Sequence, residues 1–148
     1  MQLKSWIAAA AIVMSALPAV SQARDTALFL PFQKVINDMT AAGKIDGSVK
    51  FYLAGAQPRG KITVISPGAV TNKKTNAFNK TDTEACEWVL QSAVLQMYGA
   101  AKKVNANAVT NITSYYKSIE RKDPQTYECH AGAIMAGVAL KGDLSKVD

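Results

Sequence analysis

The residues of this chain best suited to covalent chemistry are two cysteines, Cys86 and Cys129, and a single histidine, His130. Cys86 falls in what reads as the first turn of a helix, where the helix dipole favours a thiolate, so a nucleophilic Cys86/His130 pair is one reading. The other reading uses both cysteines. Two cysteines allow one intramolecular pairing, and in an oxidising compartment a Cys86–Cys129 disulfide is the simpler expectation. His130 directly follows Cys129, and strand neighbours point to opposite faces, which arranges the two poorly for one metal. We therefore name no metal ligand and take His130 as a surface or packing residue.

The run Gly55-Ala56-Gln57-Pro58-Arg59-Gly60-Lys61 matches the G-x-x-x-x-G-K part of a phosphate-binding loop. Ile62 stands where that motif needs a hydroxyl for magnesium, and KITVI (61–65) reads as a strand where a helix N-terminus should cradle the phosphates. A Gly/Pro turn in a hairpin accounts for it, and no cofactor is expected. The acids sit at expected caps, turns and exposed faces, so no carboxylate pair for general acid–base work stands out. Asn79-Lys80-Thr81 and Asn111-Ile112-Thr113 match glycosylation sequons, but the leader looks bacterial and both read as chance matches. Tyr115, Tyr116 and Tyr127 flank the last predicted strands and fit either a contact surface or strand packing.

The compartment follows from the opening residues. Lys4 precedes an uncharged Ala-rich run from Trp6 to Val20, and Ser21-Gln22-Ala23 supplies the small residues a signal peptidase reads. We place a cleavable leader at residues 1–23 and one domain at 24–148, periplasmic or secreted, with no membrane span in the mature form because the apolar run is short of the ~20 residues needed. The whole chain carries a formal charge of +6. Removing the leader lowers this by the one charge of Lys4. The cationic pairs Lys73-Lys74, Lys102-Lys103 and Arg121-Lys122 are scattered without interleaved aromatics, which argues for a solvated surface and against nucleic-acid binding.

These residues must be positioned by a small set of elements. Pro31 suits a first helical turn, and Phe32, Val35, Ile36 and Met39 follow at i, i+3, i+4, i+7 before Gly43. Val49–Leu53 and Lys61–Ile65 read as two strands, and residues 66–80 as a long surface connection. A long helix follows, capped by Thr81 or Asp82 and closed by Lys102-Lys103 and a left-handed Asn105. Its wheel sets Glu84, Glu87, Gln91, Tyr98 and Lys102 opposite a broad face of Ala85, Trp88, Val89, Ala93 and Ala100. Residues 109–116 and 127–140 read as a β-hairpin, with Cys129 in phase with Ala131, Ala133 and Met135, and with Gly132 and Gly137 marking bulges or close approach. The order predicts an α+β fold: a mainly antiparallel sheet with helices packed on one face.

Residues 71–90 (TNKKTNAFNKTDTEACEWVL), 105–116 (NANAVTNITSYY) and 127–142 (YECHAGAIMAGVALKG) resemble a family of small exported proteobacterial proteins often labelled "excinuclease ATPase subunit". The chain lacks the complete phosphate loop and the zinc-module cysteines such an ATPase needs, so the resemblance implies the exported class and not that activity. More distantly, a helix followed by small-Ala-Asn-Ala-Val, a strand and a Cys-containing hairpin looks like the periplasmic domain of the Rcs-system outer-membrane stress-sensing lipoprotein and YbjQ-like domains. That likeness implies a compact module acting through contacts with other envelope proteins. This chain has two cysteines where the Rcs sensor has four, Asn105 where Gly is common, and no lipid-attachment cysteine.

The leading functional expectation is a non-catalytic envelope module with a protein partner. A binder of a small or anionic ligand is the alternative, motivated by the positive charge. A hydrolase built on Cys86 and His130 is the third.

Overall fold

The chain enters its fold through a strand the sequence reading did not assign, β1 (Thr26–Pro31), in a computed structural model that describes residues 24–148. The expected leader, residues 1–23, lies outside the described residues. Pro31 closes β1 and caps α1 (Phe32–Ala41) from outside the helix, in an extended conformation. α1 buries Phe32, Val35, Ile36 and Met39, the stripe its periodicity predicts. It ends in a Schellman turn: Gly43 takes a φ of 71°, its N–H donates to the Thr40 carbonyl, and the Lys44 N–H donates to that of Met39.

β2 (Lys50–Leu53) and β3 (Ile62–Asn76) follow, then α2 (Asp82–Lys103). Thr81 and Glu84 form a reciprocal capping box at the start of α2, and Asn105, at φ 57°, makes the left-handed turn at its end. The remaining elements are β4 (Ala108–Ser114), a 3₁₀ turn at Tyr116–Ser118, β5 (Thr126–Ala131) and β6 (Met135–Val147). The six strands form one curled sheet in the order β1-β5-β6-β4-β2, with β3 along the other edge of β6. All pairings are antiparallel except β2 with β4. The fold is α+β, and its two helices and sheet share one apolar core.

Four expectations are corrected. β2 and β3 do not form a hairpin, since β2 lies parallel to β4 while β3 pairs with β6. Residues 66–76 are not a surface connection but the continuation of β3. Its register with β6 runs unbroken from Ala69 to Asn76, so the partner strand and not local propensity extends it. Residues 127–140 are not one strand: β5 ends at Ala131, and Ala133 and Met135 face solvent instead of sharing the buried face of Cys129. Finally, Trp88 is 55 % exposed, while Leu90, Val94 and Met97 join Ala85, Val89 and Ala93 in the core. The alanines on that face let α2 approach the sheet closely.

Glycine is required where a Cβ would collide with packed neighbours. A Cβ on Gly142 in β6 would lie 2.9 Å from Val109 Cγ1 and 3.1 Å from Ile112 Cγ1. At Gly132 it would lie 2.9 Å from the Arg24 carbonyl oxygen, the close approach expected there, whereas Gly137 has ordinary contacts.

Candidate functional site

Alternation along β5 decides the fate of both reactive residues. Tyr127, Cys129 and Ala131 point into the core, and Glu128 and His130 point to the opposite face. Cys129 is joined to Cys86 by a disulfide with a Cα–Cα distance of 5.8 Å, and both are fully buried. Cys86 is the fifth residue of α2 rather than part of its first turn, and in the bridge it carries no thiol. The Cys86/His130 pair is therefore not assembled.

On the outer face His130 gathers residues from three segments. Its Nδ1 lies 2.8 Å from Asp25 Oδ1, just before β1, and its Nε2 lies 2.6 Å from Glu128 Oε2. The Tyr116 ring stacks on the imidazole at 3.4 Å with 9° between planes, and its hydroxyl donates to Asp25 Oδ2. Lys117 and Ser118 hold left-handed φ angles of 51° and 62°, a conformation that costs about 1–2 kcal/mol for a non-glycine residue. That turn sets Tyr116 over the imidazole. The His130 hydrogen bond is the main cause holding the Asp25 carboxyl below its ordinary range, and burial, followed by Asp25, pushes the Tyr116 hydroxyl up. Both ring nitrogens are thus taken by carboxylates, and among the described residues no group of three His, Cys, Asp or Glu side chains is arranged to hold a metal ion.

Beside this clamp runs a groove of about 640 Å³, lined by Lys74, Tyr116, His130, Ile134, Met135 and Gly137 among others. Arg24 also lines it, donating to both Asp82 oxygens at 2.7 and 3.0 Å and to the Gly132 carbonyl at 3.0 Å. Lys74 has no ion pair among the described residues. Ile134 and Met135, at the β5–β6 turn, are 67 % and 47 % exposed. The Ala77 N–H donates to the Ile134 carbonyl, which brings Phe78, 65 % exposed, next to the same turn. The β5–β6 turn and the residue after Ala77 thus leave three large apolar side chains exposed.

Of the residues the sequence singles out, Cys86 and Cys129 come together, and His130 and Tyr116 meet elsewhere. Tyr127 is buried in the core, and Lys61 leads into β3 rather than a helix, as KITVI predicts. Asp25 and Glu128 were missed. The spacing of Glu128 and His130, two apart on one strand face, was a usable signal; Asp25, more than a hundred residues away, offered none.

Asp25, Asp82 and Asp123 all have carboxyls held below the ordinary 3.8, by the His130 bond, the Arg24 bond and the Gln125 and Thr126 backbone N–H groups respectively. A carboxyl depressed in the folded state stabilises fully above its unfolded value, and that contribution is lost as pH falls through the folded one. The stability these three carboxylates contribute should therefore be complete above about pH 5 and decline below about pH 4. Urea midpoints measured across this range test it. A His130→Leu variant should flatten the decline, and an unchanged acid limb in that variant would contradict the assigned role of the Asp25 clamp.

No family model, curated protein or solved structure matches this chain.

Proposed function

We propose that this protein is a non-catalytic module of the bacterial envelope, exported to the periplasm or medium, that binds a folded protein partner at the β5–β6 turn. The observation that carries this reading is the exposure of Ile134 and Met135 at the rim of a groove whose wall is fixed by the His130 clamp. An apolar anchor on a preorganised surface loses little conformational freedom on binding, which favours protein recognition. The buried disulfide fits an oxidising compartment, and no helix among the described residues is long and apolar enough to cross a membrane.

A photo-crosslinking residue at position 134, introduced in cells with the leader intact, should trap one envelope protein. Binding to that purified protein should then weaken by about tenfold or more in an Ile134→Asp, Met135→Asp variant that melts like the parent. Equal affinity in the variant would remove this surface from the function. The second reading, capture of a small anion, is favoured by Lys74 in the groove. It predicts a thermal shift with anionic ligands that Lys74→Ala abolishes.

A further inference from the structure

Each end of the sheet path, β1 and β2, pairs on one side only, as does β3. β3 carries Pro67, two register breaks between Val64 and Ala69, and the pair Lys73-Lys74, the devices that keep a strand edge from pairing. β1 ends in a proline. β2 has no proline, and the extra residue in its pairing with β4 is on the β4 side, at left-handed Asn111, so β2 itself stays regular.

The peptide groups of β2 can be assigned by alternation. The N–H of Lys50 donates to the Asn107 carbonyl and that of Ala54 to the Ile112 carbonyl, so even-numbered residues face β4. Odd-numbered ones face the open edge. The Leu53 carbonyl accepts from Ala56, which leaves the Phe51 N–H and C=O and the Leu53 N–H directed outward.

That edge borders a groove of about 520 Å³ whose far wall is α1, through Gln33, Ile36, Asn37 and Thr40. A second hollow of about 390 Å³ shares Gln33, Phe51 and Tyr52 and continues toward Pro124. Lys50 is the one charged residue lining either hollow, and it has no ion pair among the described residues. Its ammonium lies over Gly47, 3.6 Å from where a Cβ would stand. Outward peptide groups demand an extended chain, the apolar floor of Ile45, Val49 and Phe51 takes alternate side chains, and Lys50 favours an acid.

We propose that the groove between β2 and α1 binds a short, extended, acidic segment of a partner protein, which adds to β2 as a new edge strand. This second surface rests on the reading of the chain as an interaction module and uses none of the residues around His130. At about 3.3 Å per residue, the four residues of β2 set the paired length at roughly 13 Å.

The test is an NMR titration of the purified protein with a capped hexapeptide alternating valine and glutamate. Shifts are expected at Phe51, Leu53 and Asn37, with slowed exchange of the Phe51 amide. The same peptide N-methylated at its valines should not bind, and lysine in place of glutamate should weaken binding about fivefold. Asn37→Trp or Thr40→Trp, both at exposed α1 positions, should each weaken it about tenfold or more. No shifts at millimolar peptide, equal binding of the N-methylated peptide, or shifts centred on His130 would each overturn the proposal. Ile134→Asp should leave peptide binding unchanged, so loss of partner capture at the β5–β6 turn and loss of this groove are read separately.

Discussion

Replacing Cys86 and Cys129 together by alanine is expected to lower the melting temperature by roughly 10–20 °C. The bridge joins residues separated by 43 positions, and closing a loop of that length removes about 4 kcal/mol of chain entropy from the unfolded state. Native strain subtracts from this figure, and an alanine pair leaves a small void besides. The position of the bridge explains why the loss should be global. Cys86 lies in α2 and Cys129 in β5, so the tie staples the main helix to the sheet it covers. Both sulfurs are buried, so mild reductant should act only after unfolding; scans of the fully reduced protein should reach the variant's midpoint, and scans without reductant should keep the parent's. A double-alanine protein that melts within a degree or two of the parent would show that the core holds α2 in place without the bridge.

The second large effect separates two neighbouring residues of α2. Leu90→Ala should cost about 2–5 kcal/mol, because the side chain is fully buried in the apolar core and its removal leaves a cavity there. Trp88→Ala should cost under about 1 kcal/mol, although it removes a far larger side chain. Trp88 is 55 % exposed, and the Lys44 ammonium lies 5.2 Å from its ring. Urea unfolding of both variants decides this. A Trp88→Ala loss comparable to that of Leu90→Ala would return α2 to the rotation its hydrophobic wheel implies, and would move the buried face away from the sheet described here.

Local patterns in the sequence determined a good deal. The stripe of α1, the capping box of Thr81 and Glu84, the left-handed Asn105 and the α+β class all depend on residues within one or two turns of each other, where spacing and side-chain chemistry act directly. The disulfide was legible for a different reason: the only two cysteines of the chain have only one intramolecular partner each. Strand partnership was not legible. KITVI and the polar run after it become one long β3 because β6 supplies the hydrogen bonds, and no residue between 66 and 76 announces that partner. The wheel of α2 misplaced Trp88 because an alanine-rich helix has little amphipathic contrast, so the sheet surface it meets fixes its rotation. The same dependence governs the sites. Asp25, Tyr116, Glu128 and His130 are scattered along the chain and meet only because β1 pairs with β5 and a left-handed turn folds Tyr116 over the imidazole. The groove beside β2 exists only because that strand chose β4 on one side and left α1 across a gap on the other. Such choices are made by long-range pairing, whose energy is shared among many backbone groups and written in no single side chain.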